Sequence, residues 1–284
     1  MIRTQIKLMF SKFDFYIALL ICTVMSIIYF IKAPHTPAGM VSHEYLYWGN
    51  GYTSGFATFS TIYPFLIVIP FATSFIDDLS RKTYLPMTLR GDKQKYILGK
   101  YIAVFIGNFL MIFVPFLLNL ILCFVLYDKN SVTPFGDRWL GNLDGVLYGT
   151  NIVYDTPCKK TLFADVFFDN PFFYHILYLL LFAFITGMLG VFVMAISMWM
   201  KKFKILLFVP VYVLMSIAGT YTSISLHKAI SNPNRTFINF NILDYVSPFN
   251  TIGGCYYPVL IGVMIVITLF AAISGIHVVK KDVI

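Results

Sequence analysis

Charge is what this 284-residue chain has least of: Asp, Glu, Lys and Arg make up 12% of it, against about 25% in ordinary soluble domains. A soluble enzyme, a disordered chain and a coiled coil all need more, so each is excluded. Cysteine is scarce too. Four cysteines are too few for a disulfide scaffold, and Cys22 and Cys123 fall in apolar runs, where a thiol behaves as a small hydrophobe. Two motifs are missing. Without G-x-x-x-x-G-K-[ST] the chain has no phosphate loop of its own, and without H-E-x-x-H it is no zinc protease. No charged residue stands near the middle of a long apolar run, which argues against proton relays, voltage sensing and ion-coupled transport.

What is present is hydrophobic, 58% of the residues. Crossing about 30 Å of hydrocarbon at 1.5 Å per residue takes roughly 20 apolar residues in a helix. Six runs qualify: 15–31, 56–76, 96–126, 172–200, 205–226 and 257–279. They lack the two-residue alternation of a barrel strand. The expectation is an all-α integral membrane protein forming one transmembrane domain over 1–284, with six spans.

Basic residues orient such a chain. With the N-terminus in the cytoplasm, 14 of the 21 Lys and Arg fall inside, giving net +9 on the inner face and −1 on the outer. The positive-inside rule favours this topology in a plasma membrane, with both termini cytoplasmic. The inner charge is thus a membrane-orienting set, and nucleic acid is not an expected partner. At the start, Ile2, Ile6, Met9, Phe10 and Phe13 recur at helical spacing with Arg3, Lys7 and Lys12 on other faces. This describes either an interfacial helix over 1–14 or simply a basic anchor. The apolar run that follows is too long for a cleaved signal peptide.

The connections differ in length. Outside lie 32–55, the large 127–171 and 227–256, where the apolar stretches near 238–249 suit either a short re-entrant hairpin or an exposed loop. Cys158 and Cys255 fall on this side and form a candidate disulfide if the two loops meet. The sizeable inner connection, 77–95, reads DDLSRKTYLPMTLRGDKQK. Residues 79–89 suit a short helix and Gly91-Asp92 a turn. It is either a docking element or an ordinary basic loop.

Within the spans, Asn108, Asn119, Thr186, Ser216 and Thr220 either line a translocation path or hydrogen-bond neighbouring helices. Pro64, Pro70, Pro115 and Pro210 are expected to kink their helices. Ala183 with Gly187, and Ala271 with Gly275, have the small-xxx-small spacing of close helix packing.

An acidic pair ending span two, a short helical segment, and basic residues leading into Tyr-Ile-x-Gly-Lys resemble the permease subunits of ABC exporters of the type-2 class. The matching positions are Asp77 or Asp78, residues 79–89, Arg90, Tyr96, Ile97, Gly99 and Lys100, and Asp-Tyr-Val-Ser-Pro-Phe at 244–249 is similar to a segment such permeases carry before the last span. With the six-span layout, the resemblance covers nearly the whole chain.

It implies a permease that is not itself an enzyme, pairing with a second permease chain, identical or homologous. ATP and Mg would sit on separate ABC ATPase subunits, with no cofactor in this chain. Residues 79–89 would be the coupling helix, with Asp77, Asp78, Arg81, Lys82, Tyr84, Leu85, Met87 and Arg90 as the ATPase contacts. The Phe, Met and Tyr content of the spans favours an amphipathic peptide or lipid-like cargo, exported from the cell or extracted from the membrane. A competing reading from another class is a membrane-anchored sensor or scaffold. Its 127–171 segment, with Trp139, Tyr148, Tyr154 and six aspartates, would bind a ligand or partner without transport.

Overall fold

The computed structural model describes residues 1–32, 54–81, 92–126, 162, 163, 166, 170–200, 204–231, 238–247 and 257–280. Among these the protein is helical and has no extended strand. The elements are α1 (Ile2–Ser11), α2 (Phe13–Lys32), α3 (Ser54–Val68), α4 (Ser74–Ser80), α5 (Lys93–Leu126), α6 (Pro171–Ser197), a 3₁₀ turn (Ile205–Phe208), α7 (Val209–Ser231), α8 (Ile242–Val246) and α9 (Tyr257–Lys280).

By length and composition, four helical stretches can cross a membrane: Lys93–Leu126, Phe172–Ser197, Leu206–Lys228 and Tyr257–Lys280. The pair α1 and α2, bent by 61° at Lys12, makes a fifth if counted together. The expected second span is not one helix. It is the short apolar α3, a turn over 69–73, and α4. Pro70 lies in that turn without an N–H to continue the ladder, and Phe71 takes φ 67°, a left-handed conformation uncommon for a bulky residue. The other prolines are milder. Pro64 and Pro115 stay inside helices, and Pro210 sits in the first turn of α7, where a missing N–H costs little.

The 34 residues of α5 span about 51 Å at 1.5 Å each, well beyond the hydrocarbon thickness. This helix is the spine, and α6 lies closely along it. Gly190 lets the Asn108 side chain lie against the α6 backbone, since a Cβ there would collide with Asn108 Nδ2. Gly187 does the same for the Phe105 ring, which a Cβ would meet at 2.7 Å. Beside this seam Phe59 of α3, Phe116 of α5 and Phe182 of α6 form a buried triangle with ring centroids 5.3 to 6.2 Å apart, largely in edge-to-face geometry.

The first helix packs on α5 rather than only facing outward. Its buried residues are Gln5 and Met9, which meet Gly99 and Gly107, while Phe13 is 76% exposed. The last helix is tied by the Tyr101 hydroxyl donating to the Ala271 carbonyl (2.9 Å), and by Trp199, which donates to Ser274 Oγ (2.9 Å) and stacks on His277. The least covered element is α7. In its most apolar stretch 17% of residues are buried, against 61% in α6.

Candidate functional site

Two aspartates at the end of the second apolar segment anchor a network of charges that gathers four parts of the chain. Asp77 and Asp78 lie in α4, which the Phe71 turn redirects after α3. Asp77 accepts from Lys12 Nζ at 2.7 Å and from Lys204 Nζ, so it joins the α1–α2 corner to the residue before the 3₁₀ turn. Asp78 Oδ2 accepts from Lys100 Nζ at 2.8 Å and from the Tyr96 hydroxyl at 2.6 Å, both on the first turns of α5. The Phe71 ring completes the arrangement. Lys12 and Lys100 place their ammonium groups 5.1 and 5.0 Å from its centroid, within cation–π range, so the left-handed turn presents its ring to both.

The burial of their lysine partners makes the two aspartates unequal. Lys100 is 1% exposed, so its charge depends on Asp78 and the surrounding rings. Lys12 and Lys204 keep 28% and 46% exposure, and water shares their charge. Burial alone would raise the Asp77 carboxyl. The hydrogen bonds and positive charges of Lys12 and Lys204 outweigh it and hold the group below the usual carboxylate range.

The expected ATPase contacts divide at Arg81. Asp77, Asp78 and Arg81 are described, with α4 ending at Ser80 and Arg81 in its C-cap position. The expected helix over 79–89 therefore does not start at Leu79, because Leu79 and Ser80 finish α4. Lys82, Tyr84, Leu85, Met87 and Arg90 lie outside the described residues, as do Cys158 and Cys255. The residues of the Tyr-Ile-x-Gly-Lys segment are brought together: Tyr96 and Lys100 bind Asp78, and Gly99 lies against the backbone of Ile2 and the Gln5 side chain.

The five residues considered for a translocation path do not share one surface. Asn108, Asn119 and Thr186 are buried between helices. Asn108 donates to Val104 O within its own helix (3.1 Å), and Thr186 meets the Tyr63 hydroxyl at 2.8 Å, linking α6 to α3. Ser216 and Thr220 are exposed on α7. Ser216 borders a pocket of about 280 Å³ with Ser60, Thr61, Tyr212 and Asn241. Asn241 belongs to the segment that folds back along α7. There Thr222 Oγ1 accepts from the Phe240 amide (2.8 Å), Asn241 caps α8, and Asp244 accepts from the side chains of Asn239 (2.8 Å) and Asn241 (2.9 Å). Burial raises the Asp244 carboxyl, and the two amides pull it back only in part.

Sequence reasoning missed Lys12, Lys204 and Phe71 as partners of the aspartates. The two lysines were visible only as orienting charges, and nothing local marks Phe71 apart from the proline before it. Among the described residues no group of three His, Cys, Asp or Glu side chains is placed to hold a metal ion. Comparison with protein-family models, curated proteins and solved structures finds no match to this chain.

Proposed function

We propose that the chain is the membrane subunit of an ATP-driven ABC exporter of the type-2 class, docking a separate ATPase through the connection between α4 and α5. The observation that carries this reading is the clamp of Asp78 on Tyr96 and Lys100. It ties the end of α4 to the first turns of α5, the two helices between which the 82–91 connection runs in sequence. Asp77 extends the tie to Lys12 and Lys204, which gives a force on the connection a route to α1, α2 and α7. On this reading α2, the broken α3–α4 pair, α5, α6, α7 and α9 are six spans. The basic end faces the cytoplasm in accord with the charge distribution. The cargo is an amphipathic peptide or lipid-like molecule, and a second permease chain completes the complex.

The test is affinity purification of the full chain from its native membrane. A P-loop ATPase should come with it and be lost when residues 79–89 are scrambled, while the scrambled protein keeps its helical content and melting point. Purification of a well-folded chain with no nucleotide-hydrolysing partner would sink the reading in favour of a sensor or scaffold.

A further inference from the structure

At the basic end of the molecule, residues of α5 and α9 line a groove of about 590 Å³. Its walls are apolar. Leu98 and Tyr101 come from α5, and Ala272, Gly275, Ile276 and Val279 from α9. At its mouth are Gln94 in the first turn of α5 and Lys280 at the end of α9, and at the far end Thr268 donates its hydroxyl to the Met264 carbonyl of its own helix (2.8 Å). Among the described residues Lys280 forms no ion pair, and it is exposed. The carboxylate closest in sequence to Gln94, Asp92, accepts from the Gln94 backbone N–H (2.9 Å).

We propose that this groove binds one anionic phospholipid of the leaflet at the basic end, with an acyl chain along α9 and the phosphate at Lys280. Two features select that occupant. The first is length: from Thr268 to Lys280 the groove follows about 18 Å of helix, close to the roughly 15 Å of hydrocarbon in one leaflet. The second is the position of charge. Beyond Thr268 the surface continues into a second groove, between α6 and α9, whose lining is apolar apart from Thr268 itself, so among the described residues of the two grooves a charged head finds its cation at the Lys280 end. A lysine ammonium there meets a phosphate at the depth where headgroups lie, and a net negative headgroup adds attraction that a zwitterion lacks. Tyr101, whose hydroxyl is already engaged with Ala271, offers the chain only its ring. The lipid would fill this groove whether or not the chain transports anything.

The experiment is native mass spectrometry of the full-length protein released from vesicles of phosphatidylcholine containing a minor share of phosphatidylglycerol. The wild type should retain phosphatidylglycerol preferentially. Lys280→Gln should lower that preference about fivefold, the effect of one lysine at an anionic surface, and Lys280→Arg should keep it. Ala272→Phe, at an exposed wall position, should fill the groove and reduce retention of both lipids. Circular dichroism and melting point establish that each variant is folded. Should Ala272→Phe not fold, the Gln and Arg pair at position 280 decides alone. Equal retention of the two lipids by the wild type would overturn the proposal, as would unchanged retention in Lys280→Gln. So would an Ala272→Phe protein that loses a dimer while keeping its lipid, since the groove would then be an interface between copies.

Discussion

At the residue scale, the two aspartates of α4 make different predictions because their partners differ in exposure. Asp78→Asn strands the Lys100 ammonium at 1% exposure, and breaking such a buried pair costs about 3–5 kcal/mol. Asp77→Asn releases two lysines that water already reaches and should cost about 1 kcal/mol. Thermal unfolding in detergent should rank them in that order. Adding Lys100→Met to Asp78→Asn should recover much of the loss, because no buried charge is then left over. Acid titration separates Asp77 from Asp244. Asp77 has a folded value below the unfolded one near about 3.9, so its contribution is present above that pH and is lost as pH falls through the folded value. Asp244 has a folded value above the unfolded one, so its buried charge opposes folding at neutral pH and stability is gained as pH falls through it. Melting temperature should therefore hold or rise on first acidification and drop below about pH 4. Asp244→Asn should remove the rise, and Asp77→Asn should soften the drop.

At the scale of elements, glycines sort the helix surfaces into packed and open ones. Ala at 190 or 187 would drive a methyl into Asn108 or Phe105, each held between α5 and α6, and should cost about 1–3 kcal/mol. Ala at 219 on α7 or 262 on α9 meets nothing within 4 Å and should be neutral or stabilising, by up to about 1 kcal/mol, in the isolated chain. Chemical or thermal unfolding of the four variants checks the contrast. Helix positions were largely legible beforehand. The apolar runs fall on α2, α5, α6, α7 and α9 because roughly 20 such residues in lipid have to satisfy their own backbone. The break at 69–73 was not legible. Pro70 announced a kink, but whether a proline bends a helix or ends it depends on neighbours distant in sequence, here Lys12 and Lys100 around the Phe71 ring. Gln5 illustrates the same limit. Periodicity pointed to the apolar face of α1, yet the side facing α5 is chosen by Gly99, a close approach that only the fold reveals.

At the scale of the whole molecule, if the chain is the permease proposed above, the Lys12–Asp77–Lys204 tie is its mechanical link, and removing it should separate ATPase binding from coupling. Lys12→Gln combined with Lys204→Gln leaves residues 79–89 intact, so the ATPase should still copurify while substrate-stimulated hydrolysis of ATP falls several-fold. A pulldown paired with a phosphate-release assay reads both. The exposed side of α7, with Tyr212, Ile217 and Tyr221 each about half exposed, is the surface on which a second permease would show itself. A Gly219→Ala chain that melts normally alone but loses its dimer would place that contact. Of the candidate site, the sequence made Asp77, Asp78, Tyr96 and Lys100 legible as a motif in order. Their meeting in space, and the lysines that join them, depend on packing between segments far apart in the chain.

The sparse covering of α7 also bears on how the protein comes into being. Once residue 200 has left the ribosome, the aromatic triangle, the glycine seam and the Asp78 clamp all have their participants, since none draws on later residues. A nascent chain arrested there should already resist protease along α5 and α6. The remaining helices then join a finished nucleus, and Lys204, arriving only a few residues later, is the first latch to close on it.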